Sequence, residues 1–418
     1  MNMINVRRLA VMTFLGAGML SDISAQDFSL QADTLNEARL PAQWDLQSCI
    51  DYALEQNITI RKNRVTAEST QIDVKTAKAA LFPSLSFSTS QQVVNRPYQE
   101  TSSRVSGSEI ISSNSKTSYN GNYGLNASWT IYNGSKRLKT LKQERLNNQV
   151  AELDIATSEN TIKESIAQIY IQILYAAESV RVNENTLQVS IAQRDRGQEL
   201  LNAGSIAKSD FAQLEAQVST DRYQLVTAQA TLQDYKLQLK QLLELDGENE
   251  MNVYLPNLSD ENVLAPLPAK KDVYVSALAI RPEIEASKLN VEASELGIDI
   301  AKSSYFPTVS LSAGIGTNHT SGSDFTFGEQ VKNGWNNSIG LSVSVPIFNN
   351  RQTKSAVQKA RLQRETNMLS LLDEQKALYK TIESLWLDAN SAQQRYAAAN
   401  EKLRSTQISY DLISEQFN

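Results

Sequence analysis

Side chains that carry chemistry are scarce in this chain. It has one histidine, His319, and one cysteine, Cys49, in 418 residues. Far apart in sequence, the two make no dyad, and no G-x-S-x-G, phosphate-binding loop or metal-spaced cluster occurs. Gly121-x-x-Gly124 lies inside an alternating segment and cradles no phosphate. These absences exclude the usual routes to nucleophilic, phosphoryl-transfer and metal catalysis, so no enzyme and no cofactor are expected. A single cysteine excludes an internal disulfide, and Cys49 falls on the apolar side of a helical pattern, as a packed core thiol does. A net charge of −6 without a basic cluster argues against nucleic acid. His319 sits in a Ser-, Asn- and Gly-rich stretch with no second histidine nearby, which reads as an exposed loop residue. Beyond residue 25 no run of 18 apolar residues exists, which excludes a helical membrane span.

The chain opens with Arg7-Arg8, an apolar run from Leu9 to Leu20, and Ser24-Ala25-Gln26. That is the pattern of a secretory signal peptide over residues 1–25, too short in its apolar part to span. No cysteine follows the cleavage point, so a lipoprotein anchor is not expected.

What the sequence does contain is a repeat. The helical pattern of Leu46 to Asn57 recurs at Val273 to Arg281, with Ala53 opposite Ala277. Leu81-Phe82-Pro83-Ser84 recurs as Tyr305-Phe306-Pro307-Thr308, and both matches share an offset of 224 residues. Trp129 to Gly134 matches Val345 to Asn350 at an offset of 216. A register held over so long a span marks a duplicated structural unit.

Four segments alternate, and each therefore has one apolar and one polar wall. They are expected as strands at about 84–94, 119–131, 308–317 and 335–347. Leu125, Ala127, Trp129 and Ile131 oppose Asn126, Ser128 and Thr130. Leu341, Val343 and Val345 oppose Ser342 and Ser344, and Val309, Leu311, Ala313 and Ile315 oppose serines and glycines. A half-buried sheet of a soluble sandwich would alternate too. Three features favour a membrane barrel: polar faces that are small and uncharged, aromatics (Tyr119, Tyr123, Trp129, Trp335, Phe348) near strand ends, and strands of the length a tilted membrane strand needs. Leu125, Trp129, Leu341 and Val343 are then expected to face outer-membrane lipid, and Asn126, Ser128, Ser342 and Ser344 a lumen. Four strands cannot close a barrel, and an open edge in lipid leaves backbone groups unpaired. Three copies would supply 12 strands and an aqueous bore, whereas two would supply eight with a filled interior.

Long helices make up most of the remainder. Ser135 to Asn202 contains no proline and only one glycine, Gly197. From Phe211 through Leu214, Val218, Asp221, Leu225, Ala228, Leu232 and Tyr235 to Leu242, steps of three and four alternate, as in a coiled-coil seam broken in character only by Asp221. Helices are expected over 135–202, 210–246 and 351–418, with Trp44 to Leu81 as one further helix. The 67-residue helix would be about 100 Å long. Its break at Asn202-Ala203-Gly204-Ser205 is a hairpin tip, with Gly204 in a left-handed turn and Ser209 or Asp210 as the next N-cap. Glu248 to Lys271, with Pro256, Pro266 and Pro268, reads as an extended linker, and 96–118 and 318–334 as hairpin loops.

In order and spacing these pieces resemble the TolC-like outer-membrane efflux protein (outer-membrane factor) family. The carrying residues are Leu46-x-x-Cys49-Ile50-x-x-Ala53-Leu54-x-x-Asn57, the Phe-Pro pairs at 82–83 and 306–307, Ile131-Tyr132-Asn133-Gly134, and Ala203-Gly204 followed by Ser209-Asp210. The resemblance implies a mixed α and β membrane protein built from a duplicated helix-strand-strand-helix-helix repeat. Its homotrimer would form a 12-stranded outer-membrane β-barrel continuous with a long periplasmic α-helical barrel. It further implies an exit duct for efflux or type I secretion, working with a periplasmic adaptor and an inner-membrane RND or ABC pump. Ala203, Gly204, Ser205, Ser209 and Asp210 would then be the adaptor-docking tip. The first repeat would span 26–246, a linker 247–271 and an incomplete second repeat 272–418. The 216 offset places the counterpart of Leu201-Asn202-Ala203-Gly204 after Asn418, so the second tip, its return helix and the acidic gate residues it carries in the family are expected beyond that point. A periplasmic coiled-coil adaptor or scaffold is the competing reading from signal peptide and long hairpins alone.

Overall fold

The computed structural model describes residue 41 and residues 43–98, 102–106, 109–113, 116–245, 251–256, 263–321 and 325–417. The expected signal peptide lies outside the described residues. Two short helices come first, α1 (Leu46–Gln56) and α2 (Ile58–Ala79). Strands β1 (Ser84–Asn95), β2 (Ser102–Ser106), β3 (Glu109–Ser113) and β4 (Thr117–Asn133) follow. Then come α3 (Lys136–Asn202) and α4 (Lys208–Leu242). The second half runs α5 (Lys270–Ile280), α6 (Pro282–Ser303), β5 (Thr308–Thr320), α7 (Phe327–Asn333), β6 (Asn336–Ser344) and α8 (Gln352–Phe417).

The duplication is visible element by element. Helices α1 and α5 both have 11 residues and α2 and α6 both have 22, each pair 224 positions apart. Trp44 to Leu81 is therefore not one helix. Asn57 and Arg281 are extended, with ψ of 125° and 122°, and break both copies at the same place. At Arg281 the reason is local: the following Pro282 disfavours helical geometry in the residue before it. At Asn57 the side-chain Oδ1 accepts from the amides of Thr59 (2.9 Å) and Ile60 (3.4 Å), as an N-cap does. Its Nδ2 donates to the carbonyl of Leu242, the last residue of α4, at 3.1 Å. Helices α4 and α2 thus meet end to end, and together they flank the whole of α3.

Upper α3 touches α2 through Asn63–Ser158 and Thr70–Asn148, and lower α3 touches α4. On its other side α3 meets α6, where Gln143 donates to the Ala293 carbonyl, and α6 meets α8, where Arg364 pairs with Glu295 at 2.7 Å. The helical wall runs α2–α3–α6–α8. The sheet continues it in the same order, β1–β4–β5–β6, all antiparallel.

Two kinds of corner join sheet to helices. Entry is through Pro83 and Pro307, which stop helices α2 and α6 just short of their strands. Exit uses paired left-handed residues, Gly134 and Ser135 (φ 65° and 62°) and Asn350 and Arg351 (φ 49° and 65°). Gly134 is required at its corner, because a Cβ there would lie 2.7 Å from the Ser303 carbonyl oxygen.

The densest core lies neither in the sheet nor at the tip but midway, around Trp44, Cys49, Ala53, Ile166, Tyr170, Ile173, Leu239 and Leu243. Met251 and Val253 of the linker are buried there. Val253 forms a parallel bridge to Trp44, so the described part of the linker is pinned, extended, against the helices. In the second half the linker end is held to α8: Gln393 donates to the carbonyls of Val263 and Ala265, and Trp386 to that of Pro268.

Several boundaries differ from those expected. The return helix is 208–242 rather than 210–246, and β6 spans 336–344 rather than 335–347. The stretch read as a loop at 96–118 contains the hairpin β2–β3, and that at 318–334 contains α7.

Candidate functional site

The sheet brings the alternating residues of four strands into common rows. On one face Phe87, Leu125 and Ile315 lie side by side, then Leu85, Ala127, Ala313 and Ile339, then Trp129, Leu311 and Leu341. The bulge between Thr130 and Tyr132 puts Tyr132, not Ile131, in the next row with Val309 and Val343. Ile131 is the extra residue of the bulge and has no partner in β5. The opposite face carries Asn126 with Gly314 and Ser338, Ser128 with Ser312 and Gly340, Ser342 with Ser310 and Thr130, and Ser344 with Thr308. The residues expected to face lipid therefore share one surface, and those expected to face a lumen share the other. The polar rows carry no charge. Leu341 and Val343 are 65% and 60% exposed in the single chain, which leaves a contiguous apolar face uncovered.

β1 and β6 form the two ends of this sheet, each paired on one side only among the described residues. The unpaired side of each presents open backbone donors and acceptors.

The tip lies at the far end of α3, about 100 Å of helix rise from the strands. Gly204 (φ 72°) closes α3 with paired bonds, Ser205 N to Leu200 O (2.8 Å) and Gly204 N to Leu201 O (2.9 Å). Ala203, Gly204, Ser205, Ser209 and Asp210 are all exposed. The N-cap of α4 is Ala207, not Ser209 or Asp210. Alanine offers no side-chain acceptor, so the cap is one-sided: Asp210, in the first turn, accepts from the Ala207 amide at 3.3 Å. A carboxylate there also complements the positive end of the helix.

Behind the tip, Gly197 is buried because the hairpin closes tightly. A Cβ there would lie 2.3 Å from Leu214 Cδ1. Asp221, the odd member of the α4 seam, is 4% exposed and accepts from Gln217 at 2.9 Å. Cys49 is fully buried, and burial pushes its thiol pKa up to about 12.

His319 is not an exposed loop residue. It lies in β5, one residue before its end, half-buried among Tyr119 (ring centroids 5.1 Å), Tyr123 (5.9 Å) and Phe327 (5.0 Å). Its ring occupies the space that the missing side chain of Gly121 leaves, where a Cβ would come within 2.2 Å. Its Nδ1 has no hydrogen-bond partner among the described residues.

Comparison with known proteins fits this geometry. A family model described as outer membrane efflux protein matches residues 49–244 and 273–418. Among curated proteins, the outer membrane efflux protein BepC of Brucella suis is 25% identical over 62% of this chain and 54% of its own length. The outer membrane protein TolC of Escherichia coli is 24% identical over 70% of this chain and 60% of its own. The chain thus spans between half and two thirds of the length of these two relatives. Among solved structures, the channel CusC superposes with a TM-score of 0.69 at 20% identity, over 87% of this chain and 82% of that one. VceC of Vibrio cholerae gives 0.68 at 18%, over 88% and 83%. These structural likenesses establish the fold. The family match covers most of the chain in two blocks, one for each copy of the duplicated unit, and with it the chain belongs to the outer membrane efflux protein family, whose members lie in the outer membrane and extend into the periplasm.

Proposed function

We propose that this protein is the exit duct of a tripartite efflux or type I secretion system. Three copies close a 12-stranded barrel whose bore continues into a periplasmic helical tunnel. Solutes pass out along it, delivered by an inner-membrane RND or ABC pump through a periplasmic adaptor that docks at Ala203–Asp210. Residues 1–25 direct export, 26–246 and 272–418 are the two repeats, and 247–271 joins them. Leu125, Trp129, Leu341 and Val343 face lipid, while Asn126, Ser128, Ser342 and Ser344 line the bore.

One observation carries this reading: a sheet with an apolar and an uncharged polar face, open at β1 and β6, set on the end of a wall of long helices. Lipid offers no partner for open backbone groups, so β6 of one copy must pair with β1 of the next. A soluble adaptor would have no use for the bare apolar face. Native mass spectrometry of the detergent-extracted protein tests the assembly: a trimer is expected, and a folded monomer with four lipid-exposed strands would end the proposal.

A further inference from the structure

We infer that α7, the short helix between β5 and β6, is an interfacial foot that rests on the lipid headgroups of the outer leaflet. This rests on the reading of the apolar sheet face as lipid-facing, and it adds a contact that the strands do not make.

The placement follows from the sheet. β6 has 9 residues against 13 in β5, so the top of β5 lacks a neighbour on that side, and α7 sits against it. Thr317 Oγ1 donates to the Val331 carbonyl (2.7 Å), and Gln330 Oε1 accepts from the Thr320 amide (2.8 Å). Phe327 stacks edge-on against His319, which is slotted over Gly121. His319 and Thr317 are odd-numbered residues of β5 and share the face of Leu311 and Ile315, so α7 is tied to the apolar side of the sheet.

Height decides what that side meets. From Val309, in the row of Tyr132, to His319 is ten residues, about 34 Å of strand, or about 24 Å along the membrane normal at the usual tilt. An outer-membrane barrel presents an apolar band of about 25 Å between two aromatic girdles. Trp129 and Tyr132 stand at the lower edge of such a band, and α7 at its upper edge. Phe325, Phe327 and Trp335 are 47%, 45% and 57% exposed there, beside the charged Glu329 and Lys332. Aromatic rings mixed with charge suit the headgroup level better than either hydrocarbon or bulk water. The capping box between Thr326 and Glu329 gives so short a helix a fixed start.

Tryptophan quenching in proteoliposomes tests this. The chain has four tryptophans, of which Trp44 is buried and Trp386 lies among the mid-height helices. Quenching by lipids brominated near the headgroup is compared in the parent, Trp335→Phe and Trp129→Phe, with assembly checked by native mass spectrometry. Each substitution should remove about half of the lipid-quenchable emission, as expected for one ring in each girdle. If Trp129→Phe lowers quenching and Trp335→Phe does not, α7 is off the membrane and the inference fails while the sheet reading stands. If neither lowers it, the lipid-facing assignment of the sheet fails and takes the inference with it. A Trp335 shielded from both lipid and aqueous iodide would place α7 against a neighbouring copy and overturn the inference as well.

Discussion

Replacing Asn57 should loosen two helices at once. Its carboxamide caps α2 through Thr59 and Ile60, and it also occupies the end of α4 through the Leu242 carbonyl. The side chain is 3% exposed, and the adjoining Leu243 is fully buried, so water does not readily replace these bonds. Loss of an N-cap costs about 1 kcal/mol, and an orphaned buried carbonyl about 1–3 kcal/mol. Asn57→Ala should therefore destabilise the junction by about 2–4 kcal/mol, or about 30- to 1,000-fold in local opening. Hydrogen exchange followed by mass spectrometry reads this directly. Peptides covering 58–62 and 240–245 should both lose protection, while the tip at 200–210 should not. Asn57→Asp separates the two roles. It keeps the acceptor for Thr59 and Ile60 but sets an oxygen against the Leu242 carbonyl, so protection should fall mainly at 240–245. If Asn57→Ala exposes only the 58–62 peptide, Asn57 is an ordinary cap and the end-to-end coupling of α4 and α2 is refuted.

Three further outcomes are expected. Leu341→Lys should cost about 2–4 kcal/mol per protomer near the bilayer midplane and Ser342→Lys far less; equal losses of trimer on heating would reject the assigned faces. Cys49, with its thiol near 12, should resist alkylation at pH 8 in the folded protein and react at once in urea, and rapid labelling of the native state would contradict its burial. The Lys270–Glu383 pair (2.7 Å) holds α5 to α8, and its hydrogen bond keeps the Glu383 carboxyl below the usual carboxylate range. A depressed pKa contributes stability above the unfolded value, near 4.3, that disappears as pH falls through the folded one. The protection factors of the 270–280 amides, with the pH dependence of intrinsic exchange divided out, should therefore fall below about pH 4 in the parent protein. In Glu383→Gln they should already be lower at pH 7, and parent protection factors flat with pH would discount the pair.

Elements governed by neighbours in sequence were legible; those governed by distant partners were not. Alternation placed all four strands of the main sheet, and the proline-free run gave α3 within a residue of its start, because both signals are local. Gly204 announced its turn through a conformation that glycine alone adopts cheaply. Asn57 gave no such sign: its surroundings suit a helix, and what fixes the break is a carbonyl 185 residues away. His319 looked solvated because its slot exists only once Gly121 is paired opposite it in the sheet. The tight approach at Gly197 likewise depends on Leu214 crossing from another helix. The face assignments of Asn126, Ser128, Ser342 and Ser344 needed only parity. Tyr132 escaped parity because a bulge resets the count within one strand.

The duplicated register has one more consequence, for which insertions the chain can absorb. From Leu46 to Pro83 every element recurs 224 residues on without gaining or losing a position, while by Asn133 and Asn349 the offset has fallen to 216. All eight residues of drift fall between each strand's entry proline and its exit corner, and because both hairpins keep the same register they lie at the end of the sheet away from the helices. The asymmetry is mechanical. One residue added to a hairpin loop lengthens a closure by a small fraction of a kcal/mol. One residue added inside α3 turns everything beyond it by about 100° and slides it about 1.5 Å, which carries the seam below the insertion off α2, α4 and α6 together. The outward hairpins are where this protein can vary its length, and the helical wall is a ruler whose graduations cannot be moved singly.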